Sequence, residues 1–287
     1  MGYKTPWGGY SPLRHSGESR NPGPPRESNK LDTGFRRYDG KRKGSGNFWP
    51  WRRFNILLIL LGLCLGLNAA SPDFAEIDRL YLYRHLGSNL EESINRLQSM
   101  DAASPGNPDI LWRWGRGLVK LGERQTKKKG KLIFFSLAEE KIKQALALKA
   151  DNAEAHFWFG VVLGRKAETM DFLSALTLVG PMKREMMTVL SLNPRHAGAH
   201  YFLGRLILEL PGGNRKKALE ELEEAVKLAP NCAACYPTLA EAYLDAGDEY
   251  KARLTLRAAL AIKKPDDPAE YEIDLENARK LLEDIGE

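Results

Sequence analysis

The stretch ADNAEAHFWFGVVLGR at residues 150–165 returns 44 residues later as PRHAGAHYFLGRLILE at residues 194–209. An internal period of this kind constrains the fold more than any single motif, because it implies one supersecondary unit built several times over. Aligning PDILWRWGRGLVKLG, NAEAHFWFGVVLG, HAGAHYFLGRLIL and CAACYPTLAEAYLDAG stacks Gly115, Gly160, Gly204 and Ala240 in one column. Trp114, Phe159, Leu203 and Leu239 precede that column, and Leu118, Leu163, Ile207 and Tyr243 follow it by three residues. Apolar residues at this spacing lie on one face of a helix. A Gly or Ala between them lets a second helix backbone come close, while the large flanking side chains fill the groove.

Second helices follow with small-residue columns of their own: Ala138 and Ala145, Ala218 and Ala225, Ala252 and Ala259. Pro194, Pro230 and Pro265 mark hairpin ends, and from Asp73 onward no run alternates in the manner of a β-strand. The fold class is therefore all-α. These hairpins resemble tetratricopeptide repeats, which implies helical hairpins stacked into a short solenoid. Successive small-residue columns stand 45, 44 and 36 residues apart, against about 34 in the common repeat. The excess falls between the two helices of a hairpin, around RQTKKKGKLIFF, KAETMDFLSALTLVGPM and the shorter PGGN, and is expected to form enlarged loops on one side of the stack. The reading divides the chain into an atypical first hairpin at 71–104, tetratricopeptide-like repeats at 105–265 and a charged capping helix at 266–287.

The repeated histidines are the first test of an enzymatic reading. His156 and His200 both fall where the common repeat carries Trp, so each is expected to be a packed helix residue with locally satisfied nitrogens. His196 and His200 lie four apart, as a zinc pair would, but Ala197 stands where a metalloprotease needs Glu, and no third ligand is evident. Cys232 and Cys235 form CAAC without a βαβ context, a following His or further metal ligands; they are either two small buried residues or a short disulfide. Lys127, Lys128, Lys129 and Lys131 read as a solvated loop. Glu220, Glu221, Glu223 and Glu224 read as a solvated helix face. No nucleophile elbow, Ser/His/Asp ordering or phosphate-cradling Gly loop is present, so the sequence implies no cofactor, no metal and no catalysis.

The resemblance to tetratricopeptide repeats places two positions of each first helix on the concave side. Here they are Trp112 and Arg116, Phe157 and Val161, Tyr201 and Arg205, then Pro237 and Glu241. The Lys and Asn set with which this family clamps peptide carboxylates is missing. An aromatic groove with arginines suits an apolar segment or a ligand bearing an acid group; alternatively, the aromatics pack against the inserted segments.

The formal charge of +6 does not signal a nucleic-acid partner. Residues 1–55 hold 12 Lys/Arg against 4 Asp/Glu, which leaves 31 basic and 33 acidic residues from position 56 onward. A nucleic-acid footprint belongs on the folded domain, which is close to neutral. Residues 1–49 are rich in Gly, Pro, Ser and Arg and are expected to be disordered. Within them, RHSGESRNPG and LDTGFRRYDG resemble peptides translated from dispersed intergenic repeats, which implies a translation start placed too far upstream. Residues 50–70 join two arginines, an apolar run from Ile56 to Leu67 and small residues at Ala69 and Ala70, the pattern of a secretory signal peptide. An uncleaved inner-membrane anchor is the alternative. Around Cys64 the bulky Leu63 departs from a lipoprotein signal. The expected location is therefore the periplasm or another exported compartment.

The blocks AEAHFWFGVVLGR, AHYFLGRLILELP, KALEELEEAVKLAP and LAEAYLDAGD resemble two repeat families over residues 105–262. One is the T-component of TRAP transporters, which implies an exported protein that partners a periplasmic solute-binding protein. The other is the regulator-of-microtubule-dynamics proteins, which implies a repeat scaffold without catalysis. The poor lipobox and the long polar N-terminus depart from the first. The expected function is a non-enzymatic, exported scaffold for a protein partner; the alternative is a carrier of a small apolar or amphipathic ligand in the groove.

Overall fold

A methyl group added at Gly204 would lie 2.6 Å from Leu222 Cγ and 3.0 Å from the Ala218 carbonyl oxygen. At Gly115 it would lie 2.9 Å from Ile142 Cδ1 and 3.1 Å from the Ala138 carbonyl oxygen. The small-residue columns of the two helices thus meet face to face, and Ala138, Ala145, Ala218, Ala225, Ala252 and Ala259 are all buried. This contact, repeated, builds the molecule.

The computed structural model describes residues 73–286, and among them it contains eleven α-helices and no strand. They are α1 (Ala75–Leu82), α2 (Asn89–Ala103), α3 (Pro108–Glu123), α4 (Lys128–Leu148), α5 (Ala153–Ala167), α6 (Phe172–Leu192), α7 (Ala197–Glu209), α8 (Arg215–Leu228), α9 (Cys235–Asp245), α10 (Glu249–Leu260) and α11 (Tyr271–Asp284). Helices α1 to α10 form five hairpins in chain order, each second helix packing on the first helix of the next hairpin, and α11 covers α9 and α10. The result is a solenoid of the tetratricopeptide type. The segments 1–49 and 50–70 lie outside the described residues. Among those described, no helix is long and apolar enough to cross a membrane.

Local sequence chemistry sets the helix starts. Side chains of Asn107, Asn152, Asp171, Asn214 and Asp248 each accept a hydrogen bond from a backbone N–H in the first turn. Such caps are worth about 1 kcal/mol each. His196 does the same for α7, its Nδ1 accepting from Ala199 N at 3.1 Å. The tight turn between α9 and α10 depends on Gly247, whose φ of +78° is open to glycine at little cost.

The long period has a different origin from the enlarged loops expected. The second-helix side chains facing the glycine column are Ile142, Met186 and Leu222. Helix α8 begins seven residues before Leu222, whereas α4 and α6 each begin fourteen before Ile142 and Met186. The extra residues are therefore two further helical turns, about 10 Å, added at the N-terminal end. Lys is a good helix former, and Phe135 is buried against Gly122, so KKGKLIF winds into helix instead of looping out. In α6 the added turns end just before Gly180 and Pro181, the latter inside the helix.

The first and last units also meet. Arg84, in the turn between α1 and α2, donates to Asp267 Oδ1 and Oδ2 at 2.8 and 2.7 Å and to Glu270 Oε1 at 2.8 Å, just ahead of α11. Lys120 reaches the same Glu270 carboxylate at 3.5 Å.

Candidate functional site

The first helices α3, α5, α7 and α9 carry the positions expected to line a groove. Trp112 is buried at 5% exposure and donates its indole N–H to Asp109 Oδ1 at 3.0 Å. The Arg113 guanidinium lies 4.2 Å from its ring centre. Arg116 is turned toward α1, donating to Asp78 Oδ1 at 2.6 Å and lying 3.7 Å over the Tyr81 ring. Phe157 is half-buried against the His196 ring at 4.7 Å, with its edge where a side chain on Gly198 would stand. Val161 packs with the cluster around Trp112 and Val162. The Tyr201 hydroxyl meets Thr238 Oγ1 at 3.3 Å, and Arg205 donates to Glu209 at 2.7 Å. Pro237 is half-buried in the first turn of α9. Phe157 and Tyr201 thus bind one unit to the next, and both arginines are held by carboxylates of this chain.

One helical turn beyond these positions, and joined to them at Arg205, lies a row of part-buried charges that the sequence pattern alone did not bring together. Lys120 pairs with Glu123 at 2.8 Å, Arg165 with Glu123 and with Glu168 at 2.6 Å each, and Arg205 with Glu209 at 2.7 Å. The row crosses from α3 to α5 and continues along α7. Its signal was present in the sequence as the column Lys120, Arg165, Glu209 and Asp245, five residues after the small-residue column and basic at one end, acidic at the other.

The electrostatics of the row follow from its half-dry setting. Burial pushes the Glu123 carboxyl up, but Arg165 and Lys120 outweigh it and hold the group down at about 2. Glu168 goes the other way: burial raises it more than Arg165 lowers it. Burial likewise raises Glu209 against the pull of Arg205. Pairs of this kind contribute little net stability, since desolvation offsets the attraction, but removing one partner strands the other. At one end of the row an opening of ≈ 410 Å³ lies among Arg84, His85, Lys120, Glu123, Arg124 and Glu270.

The histidines are occupied. His156 Nδ1 lies 2.6 Å from Glu185 and its Nε2 2.8 Å from the Ala150 carbonyl oxygen. His200 repeats the arrangement with Glu221 at 2.7 Å and the Pro194 carbonyl at 3.0 Å. Each ring ties a first helix to the second helix of its own hairpin and to the turn before it. His196, the other half of the nominal zinc pair, caps α7 and faces Glu154 at 3.3 Å. Among the described residues no group of three or more His, Cys, Asp or Glu is placed to hold a metal ion. Cys232 and Cys235 are joined in a disulfide at the start of α9, whose first residue is Cys235. Lys127, Lys128 and Lys129 are exposed at the start of α4.

A solenoid with an internally braced first-helix face and repeated His–Glu pairs can be compared with known proteins on those terms. Residues 73–210 match the family model described as Regulator of microtubule dynamics protein 1-3. Regulator of microtubule dynamics protein 3 of Mus musculus is 24% identical over 123 residues, covering 42% of this chain and 26% of that protein. The same protein of Xenopus laevis is 25% identical over 170 residues, covering 53% and 37%. The chain thus spans well under half the length of these curated relatives. A thermophilic TPR protein of Thermus thermophilus superposes with a TM-score of 0.57 at 19% identity, covering 72% of this chain and 97% of that one. At that identity the superposition speaks to the fold alone. The resemblance to regulator-of-microtubule-dynamics proteins covers α1 to α7 and so includes the whole His156–Glu185 brace and His200, but not Glu221 in α8.

Proposed function

We propose that this protein is a non-enzymatic, exported scaffold whose first-helix face holds a protein partner. The observation that carries the reading is the row from Lys120 to Glu209, charges only partly exposed and already paired, which favours a partner able to exchange ion pairs over an apolar small ligand. The engagement of both ring nitrogens of His156 and of His200 within the chain supports the non-enzymatic reading. Export is supported by the signal-like segment at 50–70 and by the Cys232–Cys235 disulfide, a bond that persists in oxidising compartments. The likeness of the repeat blocks to TRAP T-components makes a periplasmic solute-binding protein the first partner to try.

The test is capture from a periplasm-plus-membrane extract, comparing the native chain with an Arg205→Glu, Glu209→Arg exchange. The exchange keeps the internal pair and reverses the charge order offered to a partner. Capture of a solute-binding protein by the native chain, weakened at least roughly tenfold by the exchange, supports the proposal. Equal capture by both removes the face from it, and a co-purifying small apolar molecule in native mass spectrometry would favour the carrier reading.

A further inference from the structure

The turns within the hairpins share one edge of the solenoid, because every hairpin runs out and back in the same sense. Contacts between successive turns show it: Arg124 donates to the Arg84 carbonyl oxygen at 2.5 Å, Arg165 pairs with Glu123 at 2.6 Å, and Arg215 faces Asp245 at 3.7 Å. The two extra turns of α4 and the two extra turns of α6 both lie at this edge. They are chemically opposite. The first begins with exposed Lys127, Lys128 and Lys129, which no ion pair engages among the described residues. The second, from Phe172 to Met182, has no charged residue at all.

In that uncharged segment Phe172 is 48% exposed and Leu173 74%, with Leu176 also open to solvent. Asp171, the acidic residue beside them, is spent on capping, accepting from both the Ser174 N–H and its hydroxyl. The neighbouring turn on the other side brings exposed Lys216 and Lys217. An apolar helix start flanked by basic turns has the composition of a surface that rests in a bilayer interface. A second copy is a poor occupant, since it would set these lysines against their own kind.

We propose that this edge docks on an anionic phospholipid surface, with Phe172, Leu173 and Leu176 entering the interface and Lys127, Lys128 and Lys129 lying against the headgroups. The proposal is independent of the first-helix face, which it leaves open to a partner. Docking orients the solenoid by its edge, whatever residues 50–70 do.

Hydrogen exchange on the full chain tests it, because the readout is local and separates the edge from any attachment through the N-terminal segment. Vesicles of phosphatidylethanolamine mixed with phosphatidylglycerol should protect amides 169–178 and 127–134, and phosphatidylcholine vesicles should not. Phe172→Ser with Leu173→Ser, or the lighter Leu173→Asn, should abolish protection at 169–178 while leaving the melting temperature native. Reversing the three lysines to Glu should raise the lipid concentration needed by roughly tenfold or more. Vesicle binding of the chain without protection at 169–178 overturns the proposal. So does equal protection on neutral vesicles, or protection without vesicles on adding more of the chain or an acidic protein fraction.

Discussion

Arg84 and Asp267 stand 183 residues apart in sequence and meet through two hydrogen bonds, 2.8 and 2.7 Å long. The arginine side chain is almost wholly buried, while the carboxylates of Asp267 and Glu270 remain partly open. Removing the arginine leaves two acidic groups facing each other beside Asp274. Arg84→Ala is expected to destabilise the protein by about 2 kcal/mol, below the cost of breaking a fully buried pair because its partners are part-solvated. Urea unfolding checks the size, and faster hydrogen exchange across 266–284 checks the location.

The histidine braces predict a second, local effect. Each of His156 and His200 loses two hydrogen bonds on replacement by Ala, so each substitution should cost about 1 to 2 kcal/mol. They sit in different hairpins with no shared partner, so the double substitution should be additive to within about 0.5 kcal/mol. Chemical denaturation of the two single variants and the double variant measures this directly. A coupling much larger than that would show that the two hairpins do not behave as separate braces.

The parts of this fold that could be read in advance are those where one residue type answers one local need. A Gly or Ala column is required where Ala138 and Ala218 carbonyls come within 3.1 Å of the space a Cβ would fill. His156 and His200 were legible as packing residues because both fall in the column where the common repeat carries Trp. The Arg84–Asp267 contact was not legible, since only the stacking of five hairpins creates it. Helix growth in place of loops was not legible because Lys127 to Lys131 shows no apolar period, whereas burial of Phe135 against Gly122 decides the conformation. The surroundings of Phe157 were not legible either, since they arise only where the His196 ring of the next unit stands 4.7 Å away.

Acid should destabilise the protein in part through Glu123. Its folded value of about 2 lies below the ordinary 4.5, so the unfolded chain binds the proton more readily. The stability it contributes is complete above about pH 4.5 and drains away as pH falls toward 2. Glu123→Gln should flatten that part of the pH–stability curve and lower stability at neutral pH by about 2 kcal/mol, by leaving Arg165 with one fewer partner. Thermal melts at stepped pH supply the comparison.

Asp274 has the opposite sign. Burial raises its carboxyl first, and repulsion from Glu270 and Asp267 adds to this against the pull of Lys120 and Arg84, leaving it at about 7. The folded chain therefore holds this proton more tightly than the unfolded chain, and stability should fall as pH rises from about 4 to 7, then level off. Asp274→Asn should remove the fall and be more stable than the native chain at pH 8 by roughly 2 to 4 kcal/mol. If the two proteins trace parallel pH curves, Asp274 is not the group responsible.

The glycine columns give the sharpest contrast, because their neighbours differ in kind. At Gly204 an added methyl meets Leu222 Cγ at 2.6 Å and the Ala218 carbonyl at 3.0 Å, and neither can move without displacing α8. Gly115 is similarly hemmed in by Ile142 and the Ala138 carbonyl. At Gly160 the obstruction is the terminal Cε of Met186, the free end of an unbranched side chain, and Glu185 Cβ is at an ordinary 3.5 Å. Overpacking in a fitted core costs about 1 to 3 kcal/mol, whereas Ala in place of a helical Gly returns about 1 kcal/mol. Gly204→Ala and Gly115→Ala should therefore lower the melting temperature, and Gly160→Ala should leave it near native or raise it. Equal losses at all three positions would mean that Met186 is as tightly held as the branched side chains of Ile142 and Leu222.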